Sequence, residues 1–235
     1  MTYWGVVFAR GGSKGVPGKN LKKVGGIPLI GHSIRIGLAT PEIEEFFCST
    51  DSEEIADSAR GFGASIPFMR PAELAGDESP EWDAWQHFAK YLMAAGARDD
   101  DAMVSLPTTS PLRNVDDVQS AIALYESSSA DAVVTMTEAS RSPWFNMVTL
   151  DGEGHVQVLL GSESGGPVRR QDTPKVFDLT TVAYVASLSH ILSAPRLFGG
   201  VVAGLEIPKE RALDIDTELD LEVADYLYEK RGGGR

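Results

Sequence analysis

Residues Ala9-Arg10-Gly11-Gly12-Ser13-Lys14-Gly15-Val16-Pro17-Gly18-Lys19-Asn20-Leu21-Lys22-Lys23 place five cations and four glycines in one short run. Such a run is chemistry for an anion: glycine lets backbone N–H groups come close to an oxyanion, and Lys or Arg supplies the charge. The first 41 residues carry six basic side chains, Arg35 being the sixth, and no Asp or Glu, in a chain of net charge -13. A surface turn would account for the glycines but not for that concentration of positive charge. Gly12, Gly15 and Gly18 are spaced by three, which is not the dinucleotide fingerprint, and Ser13 and Asn20 break the Walker A pattern.

A second constellation is Asp214-Ile215-Asp216. In extended chain, residues two apart point to one side, so both carboxylates can face one cation while Ile215 turns inward. Hard oxygen ligands without His or Cys favour magnesium or manganese over zinc, and two carboxylates suit an ion otherwise held by water and triphosphate oxygens. Helix capping by Asp216 and Thr217, completed by Asp220, is the other reading of this segment, and it leaves Asp214 without a role. A nucleoside triphosphate carries about four negative charges that repel an oxygen nucleophile until cations neutralise them. Arg10, Lys14 and Lys19 would then hold the β- and γ-phosphates, with Asp214 and Asp216 placing the metal.

The elements that must position these groups alternate along the chain. Apolar runs predict strands at 3–8, 44–49, 65–68, 101–106, 131–136, 181–186 and 201–206, and helical patterns fall at 28–39, 52–61, 80–95, 114–127 and 217–230. This alternation predicts a three-layer α/β architecture with a mostly parallel sheet and ligands at the carboxyl ends of its strands. The anion loop directly follows the first strand. In the helix from residue 80, Ser79 is expected to cap, Pro80 to open the first turn, and Trp82, Trp85, Ala89 and Leu92 to form one buried stripe, base stacking by the tryptophans being the alternative. Residues 138–180 break the pattern with Pro143-Trp144, the turn Asp151-Gly152-Glu153-Gly154 and a glycine-rich stretch, between short β-like pieces near 145–150 and 155–160.

The length of 235 residues with 43% hydrophobic content fits one domain with a modest elaboration. Beyond residue 41 there are 15 basic against 34 acidic residues, which argues against nucleic acid as a partner. No signal segment or bilayer-spanning run is evident, so a cytoplasmic protein without membrane contact is expected. The single cysteine, Cys48, excludes an internal disulfide and a cysteine metal cluster and reads as a buried strand residue. Lys22 and Lys23 read as surface charge, His32 as a helix residue, and the tail from Arg231 to Arg235 as uninformative.

The anion loop followed by Gly26-Ile27-Pro28-Leu29-Ile30 resembles the signature of the acylneuraminate cytidylyltransferases, the CMP-sialic acid synthetases. Ser49-Thr50-Asp51, Arg70-Pro71-Ala72-Glu73-Leu74-Ala75, Thr109-Ser110-Pro111-Leu112-Arg113, Arg170-Gln171 and Asp214-Ile215-Asp216-Thr217-Glu218-Leu219-Asp220-Leu221 recur in that family's order over nearly the whole chain. The resemblance implies a single Rossmann-like nucleotidyltransferase domain over 1–235, of nucleotide-diphospho-sugar transferase type, with an arm at about 138–180 that makes a homodimer. It also implies CTP as the nucleotide and Mg2+ (or Mn2+) at Asp214 and Asp216. The nucleotide would be bound by Ala9, Arg10, Gly11, Gly12, Ser13, Lys14, Lys19, Asn20, Arg70 and Asp77, Asn20 and Arg70 holding the cytidine. Thr109, Ser110, Arg113, Arg170 and Gln171 would face the acceptor sugar, whose hydroxyl attacks the α-phosphate.

Departures from the family pattern gather at the acceptor. Where sialate synthetases read Leu-Gln-Pro-Thr-Ser-Pro-Leu-Arg, this chain has Leu106-Pro107-Thr108-Thr109-Ser110-Pro111-Leu112-Arg113, without the glutamine. The usual Arg-Pro-Asn-Gly is replaced by Asp178-Leu179-Thr180-Thr181, reversing one charge, and Asp77-Glu78-Ser79-Pro80 stands for Asp-Thr-Ala-Ser. Arg141, Arg169 or Arg170 are the substitute cations. The expected activity is therefore magnesium-dependent cytidylyl transfer to an acidic sugar, with legionaminate or pseudaminate preferred over sialate. Nucleotidyl transfer to a sugar 1-phosphate or phosphonate, with CTP or another nucleotide, is the second enzyme reading; a nucleotide-binding regulator is the non-enzyme one.

Overall fold

The computed structural model describes residues 1–12, 15–161 and 173–232. In chain order these form β1 (Tyr3–Phe8), the two-residue strands β2 (Lys23–Val24) and β3 (Ile27–Pro28), α1 (Leu29–Ala39), β4 (Ile43–Ser49), α2 (Glu53–Gly61), α3 (Glu81–Ala94) and β5 (Ala102–Ser105). There follow α4 (Val115–Ser127), β6 (Ala132–Glu138), β7 (Val148–Leu150), β8 (Val156–Val158), β9 (Phe177–Ser187), α5 (Leu188–Ser193), β10 (Val202–Glu206) and α6 (Glu218–Lys230). The central sheet has the order β10-β6-β9-β5-β1-β4. All neighbours are parallel except β9, which runs antiparallel to both β5 and β6.

Strand periodicity divides the core into two faces. From β1, Tyr3 and Val7 join Ile30 and Ile34 of α1, Ile55 of α2 and Ile122 of α4. Val6, between them in sequence, joins Trp85, Phe88 and Leu92 of α3 and Ile191 of α5 on the opposite face. The expected three layers follow, because each strand must cover both faces with apolar side chains. A smaller cluster of Val24, Leu29, Ile215 and Ala224 seats α6 against the β2–β3 hairpin. Ile215 is fully buried there, and it anchors the segment that carries the two aspartates.

Some expectations need correction. Residues 65–68 are not a strand: Ser65 alone bridges Phe47, and Pro67 has no N–H to extend a ladder. Ser79 does not cap α3; Pro80 holds the N-cap position, and the Ser79 hydroxyl donates to the Glu73 carbonyl at 2.7 Å. Thr217 does cap α6, in a reciprocal capping box with Asp220. The β2–β3 hairpin and α5 carry too few residues to show a period. Within the irregular stretch, β7 and β8 pair as an antiparallel hairpin.

Candidate active site

The loop after β1 is tied down on three sides. The Gly11 N–H donates to Asp51 Oδ1 at 2.8 Å. Arg10 donates to the Gly76 carbonyl at 2.8 Å and pairs with Asp77 at 3.4 Å. Asn20 is buried; its amide donates to the Arg10 carbonyl at 2.9 Å while its carbonyl accepts from Thr108 at 2.7 Å. The loop therefore curls over the carboxyl ends of β1 and β5, at the mouth of a cavity of about 690 Å³. Gly15 lies so close to the far wall that a Cβ there would stand 2.5 Å from the Asp216 carbonyl oxygen, so the loop can close only with glycine at this position.

The Asp214–Asp216 segment forms that far wall. The Ile215 N–H donates to the Thr109 carbonyl at 2.9 Å, which fixes the segment beside the loop after β5. With Ile215 inward, Asp214 and Asp216 both face the cavity, as the two-residue period requires. Lys19 Nζ lies 2.6 Å from the Ile215 carbonyl and 3.4 Å from Asp216 Oδ1. An ammonium seated among oxygens shows that this corner attracts a cation, and two carboxylates with a carbonyl are the hard donor set that suits Mg2+ or Mn2+. The donor chemistry thus fits the expected metal. No cluster of three or more His, Cys, Asp or Glu occurs among the described residues, so an ion here would take its remaining ligands from phosphate and water.

Aromatic rings and one buried cation build the rest of the wall. The Phe8 ring stacks on Trp85 at 5.9 Å, Trp82 lies 5.4 Å from Trp85, and Tyr184 meets Trp85 edge-on at 5.8 Å. Arg70 sits over Phe8 at 5.7 Å. Its guanidinium donates to the hydroxyl and the carbonyl of Ser49, and its own N–H donates to the Thr50 carbonyl at 2.7 Å. Burial lowers the Arg70 pKa, against which the nearby Asp51 charge acts. Burial, with the charges of Glu81 and Asp214, pushes the Tyr184 phenol up to about 12, so it stays protonated at neutral pH.

The cavity brings together Arg10, Lys19, Asn20, Arg70, Asp77, Thr109, Asp214 and Asp216 of the expected residues. Ala9 is buried beneath the loop, and Gly11 is engaged by Asp51. Two candidates stand behind the wall. Ser110 is buried and bonds to Thr181 at 2.7 Å. Arg113 donates to Ser33 Oγ at 2.9 Å, to the Thr181 carbonyl at 2.9 Å and to the Pro107 carbonyl, and burial pushes its pKa down to about 9. Ser13, Lys14, Arg170 and Gln171 lie outside the described residues. The tryptophans belong to core and cavity at once: Trp85 is buried in the α3 face yet lines the cavity beside Trp82. Thr181 and Tyr184 also line it; the unusual Thr180-Thr181 in the sequence was the only signal toward them.

The chain is similar to several known proteins. The cytidylyltransferase family model matches residues 4–153. Post-translational flagellin modification protein B of Campylobacter coli is 30% identical over 230 residues, covering 96% of this chain and 94% of that protein. CMP-N,N'-diacetyllegionaminic acid synthase of Campylobacter jejuni is 28% identical over 221 residues, covering 94% of this chain and 92% of the relative. The solved structure of CMP:2-keto-3-deoxy-manno-octonic acid synthetase complexed with CTP superposes with a TM-score of 0.70 at 16% identity, over 98% of this chain and 100% of that one. That likeness is one of fold.

Proposed function

The chain belongs to the cytidylyltransferase family, and from that premise we propose that it transfers the cytidylyl group of CTP to an acidic sugar with release of pyrophosphate. The acceptor is a nonulosonic acid such as legionaminate, pseudaminate or sialate. One observation carries this reading: one cavity is lined both by the cations Arg10 and Lys19 and by Asp214 and Asp216, with Lys19 reaching to within 3.4 Å of Asp216. This is the charge pattern needed to hold a polyanion and neutralise it as the acceptor oxygen approaches.

In this scheme Arg10, Lys14 and Lys19 bind the β- and γ-phosphates, and the loop N–H groups orient them. Arg70 holds the cytidine side of the cavity with the aromatic wall. Asn20 acts through shape, because its amide joins the loop after β1 to Thr108. Asp214 and Asp216 would hold Mg2+ or Mn2+, which supplies charge neutralisation at the phosphate oxygens. Positioning and electrostatics provide the acceleration, and no covalent attachment to the protein is needed.

The reading covers one nucleotidyltransferase domain with an arm at about 138–180. The β7–β8 hairpin of that arm exposes Leu150, Val156, Val158, Leu159 and Leu160, and a second copy of the chain would cover them. A cytoplasmic location is part of this reading, since the reaction draws on a soluble nucleotide. No helix among the described residues is long and apolar enough to cross a membrane.

The test is pyrophosphate release with magnesium, offering CTP, GTP, UTP and ATP against nonulosonic acids, octulosonates, sugar 1-phosphates and phosphonates. Turnover with CTP and a 2-keto-3-deoxy sugar acid is expected. Turnover confined to a phosphorylated acceptor, or to another base, would overturn the reading.

A further inference from the structure

The ladder between β6 and β9 is interrupted at one step. Val134 pairs with Tyr184, but the next residue, Thr135, pairs with Thr180, which leaves residues 181–183 out of the ladder register with β6. A bulge next to a site re-aims a side chain, and here the buried Thr135 hydroxyl holds it open. That hydroxyl accepts from the Ala183 N–H at 3.1 Å and from Thr180 Oγ1 at 2.9 Å. Its own proton has the Ala183 and Thr180 carbonyls at 3.1 and 3.2 Å. The bulge turns Thr181 into the cavity wall, and Arg113 clamps its carbonyl at 2.9 Å.

Thr181 Oγ1 has three polar neighbours: Ser110 Oγ at 2.7 Å, Thr109 Oγ1 at 2.8 Å and Asp214 Oδ1 at 3.1 Å. An ionised carboxylate only accepts, so the single Thr181 proton goes to Asp214 and the other two hydroxyls donate to the lone pairs of Thr181. Every hydrogen-bonding site on this oxygen is then filled, and the direction of its O–H is fixed. Asp216 has no such brace; its side chain is exposed and approached by Lys19 at 3.4 Å. A carboxylate that ligates a metal works best when its other hydrogen bonds fix its orientation.

We propose that Thr181 is a positioning residue that locks the Asp214 carboxylate for the metal-bearing end of the site. The inference rests on the reading of Asp214 as a metal ligand. Nothing in the anion loop or the aspartate pair requires it; it comes from the bulge and the three hydroxyls.

Mn2+–CTP is the probe, and its binding is followed by the enhancement of water-proton relaxation, beside CTP binding measured without metal in EDTA. Thr181→Val keeps the shape and removes the hydroxyl. It is expected to weaken Mn2+–CTP binding by roughly 10- to 100-fold, the range for outer-shell partners of a metal, with metal-free CTP affinity changed less than about twofold. Thr181→Ser restores the hydroxyl and should return binding to near the wild-type value, which a merely structural role for the methyl group would not allow. Thr181→Ala, which asks nothing of the packing, replaces the valine variant if the latter does not fold. Asp214→Asn separates the two ideas. If Asp214→Asn loses Mn2+–CTP while Thr181→Val and Thr181→Ala bind like wild type, the positioning role is wrong and the metal reading stands. If Asp214→Asn binds like wild type, the metal reading is wrong and the positioning role falls with it.

Discussion

The loop after β1 carries its anion chemistry in one contiguous run, held by backbone turns and by acids that pin it, whereas the β9 end assembles its chemistry from distant residues. Thr181 meets Ser110 across 71 positions and Asp214 across 33. Charge does the work at the first end; at the second, uncharged hydroxyls and a strand bulge set the direction of one carboxylate. A cation tolerates small errors of placement because Coulomb attraction falls slowly with distance. A relay of hydroxyls depends on distance and angle at every step. The two ends should therefore fail differently when altered.

The largest separation is expected from Asp216→Asn. The Asp216 side chain is 75% exposed and its only described side-chain contact is Lys19, so folding should be nearly untouched, within about 0.5 kcal/mol. Turnover should fall by roughly 10²- to 10³-fold, as when one electrostatic group serving a transition state is removed. Pyrophosphate release beside a urea melt checks both parts. Full activity in this variant would remove the charge argument at that end of the cavity.

Thr135→Val should do the reverse, taking stability and site together. The substitution strips the Ala183 N–H and the Thr180 hydroxyl of their buried acceptor, at a cost of about 1–3 kcal/mol. The bulge then loses its brace from β6 and keeps the contacts of Thr181 with Arg113 and the neighbouring hydroxyls, and Mn2+–CTP affinity should drop alongside the denaturation midpoint. A variant that loses stability but binds Mn2+–CTP as wild type would show that the bulge does not aim Thr181.

The same contrast explains what the sequence made legible. Most of the long strands and helices, the anion loop and the inward Ile215 between two aspartates could be read, because each depends on local spacing; the strand expected at 65–68 failed, and the β2–β3 hairpin and α5 went unread. The resemblance to the acylneuraminate cytidylyltransferases was legible for the same reason, its motifs being short and contiguous. The antiparallel insertion of β9 between β5 and β6 was not, since an apolar run looks the same in either direction. Ser110 and Arg113 looked like acceptor contacts as part of a motif, yet the fold turns both toward Thr181. Thr181 itself read only as a departure from the family pattern, because a bulge is a property of two paired strands and leaves no period in one.

The smallest effect is expected from His32, which ties the base of the anion loop to the helix beneath it. In the neutral ring, Nε2–H donates to the Val24 carbonyl at 2.8 Å, and the ring meets Tyr228 of α6 edge-on at 5.0 Å. Burial lowers the His32 pKa from its ordinary 6.5, and Arg35 and Arg113 push the same way, while hydrogen bonds to the Val24 and Ile27 backbone oppose them. A lowered folded pKa means that the unfolded chain takes up this proton first as pH falls. The stability from neutral His32 is thus whole above the ordinary value and declines below about 6.5, by at most about 1.4 kcal/mol per pH unit for one proton. His32→Gln keeps a donor toward Val24 but has no proton to gain. His87 is lowered by burial as well and is present in both proteins, so the difference between their urea midpoints isolates His32. The wild-type midpoint should fall more steeply from pH 7 to pH 5.5 than that of the glutamine variant; parallel curves would mean that the hairpin under the loop holds without the imidazole.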